Sequence, residues 1–216
     1  MDPIPLDPGT YRGTYKLVGG RPSLDLVNTV SWKGTDREHD WFDRATNVTR
    51  WGVAVGLIDD RVRRRLDRAI SSEPMAWSSQ LDAVRDIRET LRVAISPLAH
   101  GGVPAREAVA GLNGLLARVC GRRRLDPHTL RWSWVEPTDL VELMGPLIWD
   151  AAEVVAGTDR ARLGHCPSCD WLFHDTTRNR SRRWCDMGDC GSRDKALRYY
   201  HRHKSTARAG RGSSSG

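Results

Sequence analysis

The sequence has no apolar run near the roughly 20 residues that a membrane-spanning helix needs. Its first residues also show no positively charged start followed by an apolar stretch. We therefore expect a cytoplasmic protein that does not enter a membrane and whose cysteines stay reduced. Lysine is scarce as well, with four beside 30 arginines. Because a GC-rich genome favours arginine, the arginine content alone indicates little.

Motifs of the common enzyme classes are missing. The chain contains no His-Glu-x-x-His, P-loop or Gly-x-Gly-x-x-Gly pattern, and Gly-x-Ser-x-Gly occurs only in the serine-rich last five residues, 212–216. We therefore expect a protein that is not an enzyme. The nine tryptophans are more often packing residues than functional ones.

Helical periodicity dominates the first three quarters of the chain. Apolar residues recur at helical spacing over residues 79–99, from Pro104 onward, and after Thr138 or Asp139, where Pro146 should kink the helix. Trp132 and Trp134 alternate with polar residues after a turn, which predicts a hairpin. The predicted fold class is α+β and mostly α. It has a helical N-terminal domain with a small antiparallel sheet (1–158), a four-cysteine zinc-binding module (159–205) and a flexible tail (206–216).

Four cysteines near the C-terminus are the strongest functional signal. They follow the pattern C-x2-C-x15-C-x4-C, so two close pairs can meet at one tetrahedral Zn²⁺. Four protein ligands leave no open coordination position, so one structural zinc is expected. Two disulfides are the alternative, which the absent signal peptide and the odd fifth cysteine, Cys120, disfavour. Cys120 is most simply a half-buried core thiol. The predicted ligands are Cys166, Cys169, Cys185 and Cys190.

The net charge is concentrated around these cysteines. Residues 160–216 contain 13 Lys or Arg against 5 Asp or Glu, a formal +8, whereas the remaining 159 residues carry −1. Such segregation is typical of a module that binds nucleic acid. A helix predicted over residues 193–203 would place basic side chains outward, with Ala196, Leu197 and Tyr200 on its packing face.

Double-stranded DNA is therefore the expected partner. The alternatives are a helix face that is merely solvated, or an adaptor that uses the basic module on an acidic protein. The candidate DNA contacts are the basic residues between and after the two cysteine pairs: Arg178, Arg180, Arg182, Arg183, Arg193, Lys195, Arg198 and Arg202.

The cysteine region resembles the CGNR-type zinc finger of bacterial regulators. The residues that carry this resemblance are Cys166-x-x-Cys169, Leu172-Phe173-His174-Asp175, Arg182-Arg183-Trp184-Cys185 and Cys190-Gly191-Ser192-Arg193-x-Lys195-Ala196. Ser192 departs from the family, which has Asn at that position. Serine keeps one hydrogen bond but lacks the two-pronged amide.

A second resemblance lies upstream. Gly19-Gly20, the run Leu24-Asp25-Leu26-Val27-Asn28-Thr29 and a helix containing Trp51 are similar to the ABATE domain that usually precedes that finger. Together the two resemblances cover nearly the whole chain. They imply a stress-induced transcription regulator that binds DNA.

The sensor-plus-finger layout implied by the resemblance suggests two functions for the N-terminal domain, namely effector binding and homodimerisation. Asp25 and Asn28 lie three residues apart on one helix face, with Trp32 one turn further, and could line a small-molecule pocket. The alternative is architectural, with Asn28 bonded to backbone and Asp25 paired with an arginine. An enzyme built around Asp25 and Asn28 is the remotest interpretation.

Overall fold

The structure, a computed structural model, describes the backbone of residues 2–209 and the side chains of residues 2–200. Antiparallel pairs of short strands join β1 (Val30–Ser31) to β2 (His39–Asp40), β3 (Arg123–Leu125) to β4 (Trp132–Trp134), and β5 (Leu163–His165) to β6 (Leu172–His174). The α-helices are α1 (Pro22–Val27), α2 (Ala45–Ala54), α3 (Asp60–Ser72), α4 (Pro74–Ala99), α5 (Arg106–Val119), α6 (Leu140–Leu143), α7 (Gly145–Ala156) and α8 (Ser192–Ala209).

This architecture confirms the predicted class, which is mostly helical with small antiparallel sheets. No helix within residues 2–209 has both the length and the apolar character needed to cross a membrane.

Helix α4 is the centre of the N-terminal domain. It contacts α1, α5, α6 and α7, and its buried residues recur every three or four positions, as in Leu81, Val84, Leu91 and Ile95. The helix begins at Pro74, earlier than the sequence pattern predicted, because proline is well tolerated in a first turn. Pro97 lies in the last turn and does not end the helix before Ala99.

Two other helix boundaries differ from the sequence prediction. Asp139 caps α6 by accepting a hydrogen bond from the Glu142 N–H at 2.7 Å. The helix ends before Met144, and α7 then starts with Pro146 in its first turn. The predicted kink is therefore a boundary between two helices. Similarly, α5 starts at Arg106 rather than at Pro104.

One main hydrophobic core is formed by residues of α1 to α7 and of the N-terminal segment. Trp41 and Trp51 are almost fully buried in it, as expected for packing tryptophans. Leu172 of β6 also belongs to this core. Because β6 is part of the cysteine-rich region, the two predicted domains share packed surface.

A buried cation connects α4 to the β1–β2 hairpin. The Arg88 guanidinium donates to both carboxylate oxygens of Asp40 at 2.6 Å and to Thr29 Oγ1 at 3.0 Å. Arg88 is 5% exposed. Burial raises the pKa of Asp40, but hydrogen bonds from Arg88 outweigh burial and hold that pKa below its ordinary value.

Replacing Arg88 with methionine keeps most of its volume but leaves Asp40 without its main counter-ion. Arg85 Nε, 3.6 Å from Asp40, compensates in part. We expect Arg88→Met to lower the free energy of unfolding by about 2 to 3 kcal/mol in urea titrations. Arg61→Met breaks an exposed pair with Glu136 and should cost less than about 1 kcal/mol. Equal losses in the two variants would contradict this interpretation.

Candidate metal centre and basic surface

The four predicted zinc ligands form one cluster. All four Sγ atoms lie within 4.8 Å of one another, and the pairs Cys169–Cys185, Cys185–Cys190 and Cys190–Cys169 are 3.5, 3.6 and 3.7 Å apart. These separations are too long for disulfides, and all the cysteines are free. Sulfurs about 2.3 Å from a tetrahedral Zn²⁺ lie about 3.8 Å from each other. The cysteines therefore fit zinc.

Two turns bring the cysteines together. The first knuckle, Cys166–Cys169, joins β5 to β6. It is closed by hydrogen bonds from Asp170 N to Cys166 O at 2.8 Å and from Cys166 N to Trp171 O at 2.9 Å. The second knuckle, Cys185–Cys190, includes a π-helical turn over Met187–Gly191 that continues into α8.

Asp186 and Ser192 fix the second knuckle. Asp186 Oδ1 accepts a hydrogen bond from Gly188 N at 2.7 Å, and Asp186 O accepts one from Gly191 N at 3.0 Å. Ser192 Oγ donates to Met187 O at 3.1 Å. Serine at the position of the family asparagine therefore bonds to the knuckle itself.

The ionisation of the thiols shows why this cluster suits a cation. Hydrogen bonds from the other three cysteines lower the pKa of the Cys166 thiol. Hydrogen bonding to neighbouring sulfurs and burial raise the pKa of Cys169 and of Cys185. The hydrogen bond with Cys166 raises the pKa of Cys190, but those with Cys169 and Cys185 outweigh it, so that pKa is lowered as well. Binding of a divalent ion by all four thiolates would therefore release protons.

Cys120 lies apart from the cluster. It is exposed at the start of a 3₁₀ turn, Cys120–Arg122, that follows α5. Sequence reasoning placed this thiol half inside the core, which is wrong.

The zinc module is bonded directly to the N-terminal domain. Asn28, just after α1, uses its whole amide on β6, with Nδ2 donating to Leu172 O and Oδ1 accepting from Leu172 N, both at 2.8 Å. Trp171 Nε1 donates to Val30 O at 2.9 Å, and His174 N donates to Gly19 O at 2.7 Å. These contacts join β6 to the segment around α1.

Lys16 holds the second knuckle from the other side. Its ammonium lies 2.9 Å from Asp186 Oδ2 and 2.7 Å from Asp189 Oδ2. The hydrogen bonds that Lys16 donates to Asp189 and Asp186 raise the pKa of Lys16 and lower the pKa of Asp186. The carboxylates of Asp186 and Asp189 therefore share one counter-ion, Lys16, which sequence reasoning did not single out.

Arg182 acts as an internal clamp. Its guanidinium donates to the carbonyls of Val18 at 2.6 Å, Cys185 at 2.7 Å and Trp184 at 3.1 Å, and it stacks 4.5 Å from the Phe173 ring. Its donors are thus occupied by backbone carbonyls inside the module. The predicted role of Arg182 in DNA contact does not agree with this placement, because few donors remain to face solvent.

The other basic candidates in the described part of the chain lie on the surface. Arg193 stacks 4.9 Å from the Trp32 ring, Arg183 lies 5.7 Å from the Trp184 ring, and Arg198 pairs with Asp194. The side chain of Arg202 lies outside the described residues. The exposed basic set consists of Arg178, Arg180, Arg183, Arg193, Lys195 and Arg198.

Helix α8 extends beyond the predicted residues 193–203 and continues to Ala209, since the chain has no glycine or proline between Ser192 and Gly210. The predicted tail, 206–216, therefore overlaps the helix, and its residues 210–216 lie outside the described part. The expected packing face is wrong, because Leu197 and Tyr200 are 54% and 58% exposed and belong to neither core.

Asp25, Asn28 and Trp32 do not line a common pocket. Asp25 is buried and its Oδ1 accepts a hydrogen bond from Gly19 N at 2.7 Å, rather than pairing with an arginine. Asn28 is fully buried and bonded to Leu172. Trp32 instead lines a cavity of about 250 Å³ beside the cysteines, together with Tyr11 and Arg193. Asp25 and Asn28 therefore stabilise the fold through hydrogen bonds to backbone, rather than line a pocket.

The Gly19-Gly20 pair is explained by the same contacts. A Cβ on Gly19 would lie 2.8 Å from Asp25 N, and Gly20 has a positive φ of +74°. Glycine at both positions allows the chain to close on α1 and on β6.

Asp25 should give a measurable pH dependence. Burial raises its pKa from 3.8 to about 7, against hydrogen bonds from Gly19 and Val18. The folded state therefore binds more protons than the unfolded state between these values, so the free energy of unfolding falls as pH rises from 4 to 7. The full effect is on the order of 4 kcal/mol.

Asp25→Asn, which does not ionise, should lose this part of the slope in denaturant titrations between pH 5 and 8. Asp36→Asn, at an exposed position, should keep it. Parallel curves for the wild type and Asp25→Asn would show that Asp25 ionises normally.

Comparison with known proteins agrees with this geometry. The family model ABATE, described as "Putative stress-induced transcription regulator", matches residues 20–158, and the CGNR zinc finger model matches residues 162–203. No curated protein matches the chain. Both resemblances drawn from the sequence are thereby confirmed. Since the first match alone spans more than half of the 216 residues, the chain belongs to the ABATE family and carries a CGNR zinc finger after that domain.

Proposed function

We propose that this protein is a cytoplasmic bacterial transcription regulator that binds double-stranded DNA through its basic zinc module. The observation that carries the proposal is the exposed basic set on a surface organised by the cysteine cluster. The family description supports a role in transcription. A binding role fits a chain without known catalytic motifs better than an enzymatic one.

Neutralisation of the module's acidic residues supports contact with phosphate. Asp186 and Asp189 are paired with Lys16, and Asp194 with Arg198. Asp175 is buried and accepts hydrogen bonds from Thr177 N at 2.7 Å and Arg182 N at 2.9 Å. Arg198 is thus opposed by Asp194, whereas no carboxylate of the described residues pairs with Arg178, Arg180 or Arg183.

The two knuckles would hold one structural zinc per chain. When bound, Zn²⁺ supplies a closed tetrahedral centre with four thiolates. The chain's own part is to bring the sulfurs together and to fix α8 at the second knuckle, because Cys190 lies in the π-helical turn that leads into α8.

Zinc content of the purified protein tests this role. We expect about one zinc per chain in the wild type, almost none in Cys185→Ser, and an unchanged amount in the exposed control Cys120→Ser. The helical far-UV signal of the N-terminal domain should survive in Cys185→Ser, because its main core is built mostly by its own residues, with Leu172 buried in it and Leu163 and Trp171 packed against it from the module. Zinc retained in Cys185→Ser, or lost in Cys120→Ser, would disprove the assignment.

Salt dependence tests the DNA contact. If the six members of the exposed basic set touch phosphates, log K for duplex DNA should fall with log salt at a slope of about −5. In the double variant Arg178→Gln/Arg180→Gln, the slope should decrease in magnitude by about 2. Fluorescence anisotropy with a labelled duplex of mixed sequence, at several salt concentrations, measures both values.

A matched control distinguishes DNA binding by the basic surface of the module from attraction by the net charge of the whole protein. Arg64 and Arg68 are exposed on α3, so Arg64→Gln/Arg68→Gln removes the same charge elsewhere. It should leave the slope unchanged. An equal loss in both double variants would indicate unspecific attraction, and no binding at low salt with zinc present would overturn the DNA proposal.

A basic adaptor for an acidic protein is the second candidate. The exposed Leu197 on α8 is the observation that favours it, because apolar side chains are more useful against protein than against phosphate. Retention of an acidic protein, without DNA binding, would support it.

Effector binding and homodimerisation remain proposals for the N-terminal domain. The cavity beside Trp32, at about 250 Å³, is slightly smaller than the roughly 300 to 1,000 Å³ of ordinary ligand pockets. An effector, if one exists, would therefore be small.

A further inference from the structure

A second group of potential metal ligands lies outside the four-cysteine cluster. His100 follows the last residue of α4, His165 ends β5, and Asp170 follows the first knuckle. His100 Nε2 and His165 Nδ1 lie 3.2 and 3.1 Å from the same oxygen, Asp170 Oδ1. All three donor atoms lie within 4.8 Å of one another.

Hydrogen bonding fixes the orientation of His100. Its Nδ1 lies 2.8 Å from Ser96 O, and a carbonyl oxygen only accepts, so Nδ1 carries the hydrogen. In the neutral ring, Nε2 then presents a lone pair toward Asp170 Oδ1. Such a carbonyl bond on the far nitrogen is the usual support of a metal-binding histidine.

The contacts within the group call for a positive charge. The His100 and His165 rings are stacked with centroids 3.8 Å apart, and both face one carboxylate oxygen. A lone pair on His100 Nε2 facing a carboxylate oxygen is repulsive. Either a proton on that nitrogen or a shared cation removes the repulsion.

We propose that His100, His165 and Asp170 bind a divalent transition-metal ion, separately from the cysteine cluster. Two imidazole nitrogens and a carboxylate suit Zn²⁺ and its neighbours such as Ni²⁺ or Co²⁺. Bonds of about 2.1 Å place neighbouring ligand atoms about 3.0 to 3.4 Å apart, which matches both contacts to Asp170. Three ligands on a half-exposed surface leave the other coordination positions to water.

The ion would connect the C-terminal end of α4 to the first knuckle. His100 comes from the N-terminal domain, and His165 and Asp170 flank the zinc ligands Cys166 and Cys169 in the chain. Metal binding here would therefore stabilise the docked arrangement of the two domains, by a free energy that rises with the logarithm of the free metal concentration.

Calorimetric titration tests the proposal with Zn²⁺ as the probe. The full chain, already loaded with one zinc per chain, should bind a second equivalent. His100→Ala should weaken this second binding by at least about tenfold while keeping the first zinc, since His100 is remote in sequence from the cysteines. The matched control is His128→Ala, at an exposed position in the turn between β3 and β4, and it should bind like the wild type.

Asp170→Asn provides a second variant. Asp170 has a positive φ of +60°, which asparagine also tolerates, so the turn should be preserved. It should weaken the second binding as well. No second equivalent in the wild type, unchanged affinity in either site variant, or an equal loss in His128→Ala would overturn the proposal, and the group would then be a protonated histidine paired with a carboxylate.

Discussion

The amide of Asn28 connects the two parts of this molecule. Both of its polar atoms form hydrogen bonds with the backbone of Leu172. The Asn28 side chain thus satisfies the N–H and C=O groups of β6 that a neighbouring strand would otherwise bond. Because the amide is fully buried, losing either bond would leave an unsatisfied polar group at a cost of about 1 to 3 kcal/mol. The cysteine cluster is therefore built against the N-terminal domain, rather than tethered to it by a linker.

The electrostatics of the module follow from this docking. Lys16 and Val18 both come from the N-terminal segment and reach the second knuckle. There Lys16 pairs with two carboxylates, and Val18 O accepts a hydrogen bond from Arg182. The net charge of the surface around the zinc site thus depends partly on Lys16, which lies outside the zinc finger. The module alone would carry more negative charge near its cysteines than the complete chain does.

The sequence predicted the features that depend on local residue spacing. It did not predict the bonding partners of side chains whose contacts are far away in the chain. The cysteine pattern predicted the cluster, because two short turns bring each pair together. The sequence does not distinguish Arg182 from the arginines beside it. Only the structure shows that Arg182 donates to the carbonyl of Val18, which is far away in the sequence. Asn28 and Leu172 are 144 residues apart, and no periodicity links them. Asp25 was predicted either to line a pocket or to pair with an arginine, yet its partner is the Gly19 N–H.

The N-terminal domain and the zinc module differ in how their arginines are paired with carboxylates. Helix α3 is rich in arginine, but Arg63 is paired with Asp60 and Asp67, and Arg61 and Arg65 share Glu136. This leaves only Arg64 and Arg68 of the helix exposed without a carboxylate partner among the described residues. Paired charges attract a polyanion weakly, since their fields largely cancel beyond a Debye length of about 8 Å. In the module, by contrast, Arg178, Arg180 and Arg183 face solvent, and the carboxylates of Asp186, Asp189 and Asp194 are paired with other cations. The same arginine-rich composition therefore stabilises the fold in one domain and leaves a binding surface in the other.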